Sequence, residues 1–294
     1  MIELRDLQLL SALARHRHFA KAAQECGISQ PAFSMRIRNL EDRLGVSIVR
    51  RGNRFQGLTE EGAEIVRRAR RILDDARSLE QDIRARQGAV QGTLAIGVIP
   101  TAVAHAARMA GRLHQVQPGI LSRIETATAT VLRQRLEEGT IDAAVTYGDA
   151  AGGEGLEVSL LYEESYVLLA PDHMVPAEAR RIGWAQAADL PLVLLEPGMQ
   201  NRRILDRVFA DLGLRPNVIA ESSGVTAAMV MAREGLAATV LPQVLARALG
   251  PLERTRVLDL TGPAPPGPSV CLTTPRRQPE LATVRALKAI AGTV

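Results

Sequence analysis

Ser29-Gln30-Pro31-Ala32-Phe33-Ser34-Met35-Arg36-Ile37-Arg38-Asn39-Leu40-Glu41 packs a helix start and an apolar stripe into one short run. Ser29 has the side chain of an N-cap, Pro31 suits a first turn, and Ile37, Leu40 and Leu44 recur at helical spacing until Gly45 stops the helix. Upstream, Phe19 to Cys26 reads as a shorter helix ending at Gly27. Its Ala22 and Ala23 are small enough to let another helix pack closely. Before that, Leu4, Leu7, Leu10 and Ala14 predict a first helix, closing near Arg15-His16-Arg17-His18. Two helices joined by a short Gly-containing turn make a helix-turn-helix.

A helix of this kind lays its first two turns in a DNA major groove with its N-terminal N–H groups near phosphate. Gln30 and Ser34 lie four residues apart on one face, and both side chains suit base-edge hydrogen bonding. Arg36, Arg38, Arg50, Arg51 and Arg54 are better suited to phosphate. Downstream, Val46 to Leu58 predicts two short strands around a Gly52-Asn53 turn, a basic wing. Thr59 then caps a helix carrying Ala63, Val66, Ile72, Leu73, Ala76, Leu79 and Ile83 and running to about Gln87. Such a helix is roughly 40 Å long. It cannot bury its own stripe, so a second copy of the chain is the expected cover.

Charge agrees with this placement. Residues 1–58 hold ten Lys or Arg against five acids, whereas 59–88 are balanced and 89–294 carry nineteen bases against twenty acids. The whole surplus of the +4 chain therefore sits at the N-terminal end, the footprint of a nucleic-acid-binding module joined to a neutral body. The length of 294 residues fits two domains, and a hydrophobic share of 46% excludes disordered and fibrous classes. Two distant cysteines, Cys26 and Cys271, exclude a disulfide framework and a CxxC zinc site. The charged N-terminus does not read as a secretory signal and no apolar run reaches bilayer length, so a cytoplasmic protein is expected.

Beyond Gly92, strands are predicted at Thr93–Ile99, Ser122–Glu125, Ala143–Thr146, Tyr166–Ala170, Val193–Leu195, Val218–Ala220, Ala238–Leu241 and Val270–Thr273. Helical patterns separate most of them: Thr101–Val116, Val131–Glu138, Asn201–Leu212, Thr226–Arg233, Pro242–Leu249 and Pro279–Ala291. The alternation predicts α/β architecture with largely parallel sheets. Pro263 to Pro268 reads as a connector. Ligands of open α/β sheets sit at the carboxyl ends of strands, near helix N-termini that favour anions. That rule selects Pro100, Thr101, Thr126, Thr128 and Thr146 on one side, and Gln200, Asn201, Ser222, Ser223 and Thr226 on the other. No carboxylate or Arg cluster belongs to this set, which points to a small anion or weakly polar metabolite.

The motifs Phe19-Ala20-Lys21-Ala22-Ala23, Ile28-Ser29-Gln30-Pro31-Ala32, Leu40-Glu41-Asp42-Arg43-Leu44-Gly45-Val46 and Leu58-Thr59-Glu60-Glu61-Gly62 resemble the winged helix-turn-helix of LysR-type transcriptional regulators. The likeness continues through Gly92 to Gly97, Pro118-Gly119, Leu190-Pro191-Leu192 and Gly235 to Pro242. The resemblance implies a dimerising linker helix and a periplasmic-binding-protein-like effector domain of two α/β lobes whose chain crosses the hinge twice. It places effector contacts on Thr101, Thr128, Gln200 and Thr146; the DNA-contacting set is Ser29, Gln30, Pro31, Ser34, Met35 and the arginines above. Two positions depart from the family. Met35 stands where family members usually carry a DNA-contacting Arg; either Arg36 substitutes from another angle or sequence preference differs. Arg50 replaces a customary Glu at the wing, which should steepen the salt dependence of binding. Ile141 to Tyr147 with Leu160 to Tyr166 also resembles a subgroup encoded beside formate dehydrogenase genes, making formate one candidate effector.

Catalytic motifs are missing: the five histidines show no HExxH spacing, and there is no GxSxG elbow or Walker loop. No metal site, cofactor or enzymatic activity is expected. The resulting assignment has a DNA-binding domain at 1–58, a linker helix at 59–88, lobe I at 92–163 and 268–294, and lobe II at 164–267. Partners are double-stranded operator DNA, a small-molecule effector, further copies of the chain up to a homotetramer, and RNA polymerase, with no membrane. The rival readings are an enzyme carrying an autoregulatory DNA-binding domain and a cytosolic solute-binding protein.

Overall fold

The computed structural model describes residues 2–50, 55–86, 90–263 and 267–292. The chain divides into two compact units: Met1–Gln91 with Glu138–Thr140 and Arg277–Ala282, and Gly92–Glu137 with Ile141–Arg276 and Thr283–Val294.

The first unit begins with α1 (Leu4–His16), α2 (Phe19–Glu25) and α3 (Gln30–Leu44). Phe33, Ile37 and Leu40 fall on one side of α3 and close a core with Leu9, Leu10, Leu13, Ala22 and Ala23. Each such large side chain contributes about 1.5–3 kcal/mol when fully buried. Ser29 caps α3 through the Ala32 N–H, Pro31 occupies its first turn, and Gly45 ends it in the left-handed region. After α3 no ladder partner awaits the Ile48 and Val49 N–H groups. The buried Glu41 carboxylate accepts both, at 2.7 and 3.0 Å, fixing where the wing leaves the helix.

The wing is slighter than two strands. Among the described residues it consists of an isolated Val49–Leu58 bridge and an Arg50 N–H donated to the Gly57 carbonyl; the Gly52-Asn53 turn lies outside them. The helix α4 (Glu60–Arg86) follows, its Thr59 cap accepting the Gly62 N–H at 2.9 Å while donating to the Ser47 carbonyl at 2.6 Å. Gly62 admits no side chain, because a Cβ there would sit 2.1 Å from the Ile48 carbonyl oxygen. Further along α4, Ile72, Leu79 and Ile83 lie on one face at coiled-coil spacing and all three are exposed.

The second unit runs β1 (Gly92–Val98), α5 (Val103–Val116), β2 (Ile120–Thr126), α6 (Ala129–Glu137), β3 (Ala143–Tyr147), α7 (Gly148–Ala151) and β4 (Leu156–Glu163). It continues through β5 (Tyr166–Pro171), β6 (Arg181–Gly183), α8 (Trp184–Asp189), β7 (Leu192–Leu195), α9 (Gln200–Asp211), β8 (Val218–Ser222), α10 (Val225–Arg233), β9 (Thr239–Pro242), α11 (Gln243–Leu249) and β10 (Thr255–Thr261). The unit closes with β11 (Ser269–Pro275) and α12 (Ala282–Ala291). One sheet has the order β2-β1-β3-β11-β4, a second β6-β10-β5-β9, and β7 pairs with β8.

The sheets are mixed rather than largely parallel: β11 runs antiparallel to β3 and β4, and β5 antiparallel to β10 and β9. The sequence reading missed β4, β6 and β10, and β4 and β10 each supply an antiparallel pairing. The chain passes from the first sheet to the second between β4 and β5 and returns between β10 and β11. At this double crossing the Glu164 N–H bonds the Pro268 carbonyl at 2.9 Å. A Cβ on Gly267 would lie 1.5 Å from the Glu164 carbonyl oxygen, so the two crossing segments touch backbone to backbone.

Candidate functional site

Along residues 2–50, folding divides the basic residues into two sets. Arg5 donates to the Cys26 carbonyl, Arg15 and His16 pair with Glu25, and Arg43 pairs with the buried Asp6. These groups staple helices together. Arg17, Lys21, Arg36, Arg38 and Arg50 are exposed and make no ion pair among the described residues. Arg51 and Arg54 lie outside the described residues.

The exposed face of α3 is centred on Pro31, Met35 and Arg38, directly opposite Phe33, Ile37 and Leu40. Met35 is 62% exposed at its middle, with no side chain packed over it. Gln30 is exposed in the first turn and Ser34 half-buried one turn on, along the flank of that face; Arg36 lies on the other flank. Ser29 is exposed, its hydroxyl taken by the Ala32 N–H at 3.4 Å. Hydrogen-bonding side chains at the start of the helix and free guanidinium groups around it can read base edges and neutralise phosphates. If Arg50 meets phosphate, Arg50→Glu will flatten the slope of log affinity against log salt by about 1, measured by anisotropy on one duplex across a salt series. An unchanged slope would remove Arg50 from the interface.

In the second unit, a cleft between the sheets is lined by Ile99, Pro100, Thr101, Thr128, Ala129, Tyr147, Leu195, Met199, Gln200 and Asn201. Five of the ten residues named from the sequence meet here. Thr101 is buried, its hydroxyl 2.9 Å from the Tyr147 hydroxyl, which also receives the Asn201 amide at 3.4 Å. Thr128 caps α6 through the Val131 N–H at 3.5 Å, and Gln200 donates to Asp149 at 2.6 Å. The N-terminus of α9 has no side-chain cap, leaving its first N–H groups to the cleft.

The other five lie elsewhere. Thr126 is exposed at the end of β2, and Ser223 and Thr226 line no part of the cleft near α10. The Ser222 hydroxyl is spent on the Gly224 backbone. Thr146 is buried without lining the cleft; alternation along β3 brings its neighbour Tyr147 there instead.

Sequence reasoning omitted Tyr147 and the group behind it, Glu164. Tyr147 donates to Glu164 Oε1 at 3.1 Å, at the crossing between the sheets. Glu164 is 2% exposed, and burial pushes its carboxyl up to about 7 against the pull of the Tyr166 and Tyr147 hydroxyls. The Tyr147 hydroxyl is itself held well above its ordinary range, first by burial and then by the adjacent carboxylate. One hydroxyl thus joins the first sheet's Thr101, the α9 residue Asn201 and the hinge carboxyl. No charged side chain lines the cleft, and its free volume is ≈ 20 Å³, space for about one water. Among the described residues, no cluster of His, Cys, Asp and Glu could hold a metal ion, and no helix is long and apolar enough to cross a membrane.

Comparison with known proteins now identifies both units. Residues 4–63 match the bacterial regulatory helix-turn-helix of the lysR family, and residues 87–293 match the LysR substrate binding domain. A RuBisCO operon transcriptional regulator of Allochromatium vinosum is 32% identical over 213 residues, 72% of this chain and 70% of that one. The dual regulator OxyR of Escherichia coli is 33% identical over 201 residues, 67% of this chain and 65% of its own. A full-length OxyR variant from Pseudomonas aeruginosa superposes with a TM-score of 0.74 at 26% identity, covering 99% of this chain and 97% of that one. Full-length CbnR bound to its target DNA shares the fold, with a TM-score of 0.65 at 21% identity over 98% of each chain. The chain belongs to the LysR family of DNA-binding transcriptional regulators with an effector-binding domain.

Proposed function

We propose that this protein is a homo-oligomeric regulator in which a small anion, held by hydroxyl and amide donors of the Thr101–Tyr147–Asn201 cleft, changes how paired winged helices sit on operator DNA. The observation that carries this reading is the set of five exposed cationic side chains without ion pairs among the described residues 2–50, where Arg15 and Arg43 are paired internally. The exposed Ile72–Leu79–Ile83 stripe of α4 supports pairing through the linker helix, with a tetramer built from such pairs and RNA polymerase as the further partner. Lobe I, taken as 92–163 and 268–294, and lobe II, 164–267, close on the effector, and differential affinity for the closed form shifts the DNA-binding equilibrium.

The effector is small, because ≈ 20 Å³ admits little more than a water unless the lobes part. Formate, the smallest carboxylate, is one candidate. Relatives from Dickeya chrysanthemi and Pectobacterium carotovorum are named hydrogen peroxide-inducible genes activators, but no cysteine is among the described residues that line this cleft. The two cysteines are Cys26, beside α2, and Cys271, buried on β11; burial pushes both thiols up.

Base readout is tested with Gln30→Ala and Ser34→Ala, each titrated on operator and scrambled duplex. Discrimination between the two duplexes should fall by about 1–3 kcal/mol per lost base contact, while scrambled DNA is bound as before. Equal weakening on both duplexes would show that these side chains do not read sequence. Thr101→Val should lower the affinity for formate by about tenfold in isothermal titration, the loss of one hydrogen bond to a charged group. An unchanged affinity would move the effector out of this cleft.

A further inference from the structure

Behind the cleft, on the other side of Glu164, lies a larger cavity of ≈ 640 Å³ that the regulator reading does not use. Its walls come from both sides of the hinge: α9, β10, the returning segment Gly267–Ser269, and Gly148-Asp149 after β3. Trp184, Ile204, Val208 and Leu260 make one side apolar. Glu164, Asp149 and Asp211 bring three carboxylates against the single guanidinium of Arg207. Asp149 already accepts from Gln200, and Asp211 is exposed at the rim.

The deep carboxyl is the informative one. Glu164 Oε1 is taken by Tyr147, whereas Oε2 is buried with no hydrogen-bond partner. The Tyr166 hydroxyl, a cavity-lining group that pulls on this carboxyl, likewise completes no hydrogen bond among the described residues. A buried acceptor left unmade is costly, more so when charged, so an incoming donor stands to gain that bond. An apolar wall, an excess of carboxylates and one unfilled carboxylate oxygen together select a cation on a hydrophobic body.

We propose that this cavity is a second ligand site, for a small organic amine whose ammonium group bonds Glu164 Oε2 and whose apolar body packs against Trp184, Ile204, Val208 and Leu260. It is separate from the anion cleft, and Glu164 is the residue the two have in common: its Oε1 accepts from the cleft residue Tyr147, and Glu164 lines the cavity. The assignment does not depend on what occupies the cleft.

Trp184 is the only tryptophan of the chain, so its emission reports this wall directly. Full-length protein at about pH 8, where the Glu164 carboxyl is ionised and a simple amine still protonated, is titrated with benzylamine. Benzyl alcohol is the neutral analogue and benzoate the anionic one. Benzylamine should give a saturable change in emission with at least tenfold tighter binding than benzyl alcohol, and benzoate should give none. Glu164→Gln should erase the preference for the amine. Asp211→Asn, an exposed change that spares the fold, should weaken the amine two- to fivefold. Thr128→Val, which alters the cleft without touching the Tyr147–Glu164 hydrogen bonds, should leave amine binding intact, so failure of the cleft assignment would not register here. Equal binding of amine and alcohol, an amine preference that survives in folded Glu164→Gln, or no saturable response to any of the three probes would overturn the site.

Discussion

Replacing Glu164 by Gln is expected to make the stability of the effector-binding domain rise with pH between about 4.5 and 6.5, a range where wild type is nearly level. The Glu164 carboxyl titrates at about 7 in the folded protein, above its ordinary 4.5. Between those values the folded state keeps a proton that the unfolded chain has released, so acid favours folding. The contribution is complete below about pH 4.5 and is lost as pH rises through 7. The full swing is on the order of 3 kcal/mol. Tyr147, Tyr162 and Tyr166 surround the group and are held above their ordinary values by burial and by Glu164 itself, so they remain neutral across this range.

His105 acts in the opposite direction. Burial, aided by Arg108, holds it down to about 4, and its contribution is lost as pH falls from 6.5 toward 4. From about pH 4.5 to 6.5 the two slopes oppose each other, so thermal melts of wild type should be nearly level there. In Glu164→Gln the His105 slope is left unopposed, and stability should rise with pH up to about 6.5. A profile as level as that of wild type would mean that Glu164 does not hold the proton. The carboxamide still accepts from Tyr147, so the comparison isolates charge from packing.

The second large effect is expected from Gly62→Ala in the winged helix. The new Cβ would have to occupy a point 2.1 Å from the Ile48 carbonyl oxygen, a backbone atom that also accepts the Thr59 N–H. Neither side can yield by changing a rotamer, so α4 must shift away from the wing. Forced overpacking of this kind costs about 3 kcal/mol. Urea denaturation should show the midpoint of the DNA-binding unit displaced by that amount while the effector-binding transition stays in place. A midpoint within experimental error of wild type would show that the approach of α4 to Ile48 is looser than described.

The helix-turn-helix was legible because its signals are local. Ser29, Pro31 and Gly45 mark the ends of α3, and Phe33, Ile37 and Leu40 show its buried side within fifteen residues. Composition, however, weighs every arginine equally. Only tertiary contacts reveal that Arg5, Arg15 and Arg43 are spent on Cys26, Glu25 and Asp6.

The cleft was half legible. Thr101, Thr128 and Gln200 follow from the rule that ligands meet strand and helix ends. The strand β3 is buried along its whole length, so no alternation of polarity shows which of Thr146 and Tyr147 faces the ligand. Glu163 and Glu164 are indistinguishable in sequence, yet one is exposed and the other buried, because the hinge crossing turns the chain between them. The strand β4 escaped notice because its polar residues do not alternate regularly: only Leu156 among its eight residues is buried.

The central claim is that the winged helix reads sequence and not merely charge. It is tested most directly by fluorescence anisotropy of the full-length protein on DNA from upstream of its own gene against a scrambled duplex of the same composition, across a salt series. Binding to the upstream DNA should be at least roughly a thousandfold tighter than to the scrambled duplex, with both affinities falling steeply as salt rises. Equal affinity for the two duplexes, with or without formate, would contradict the assignment of α3 as a sequence reader.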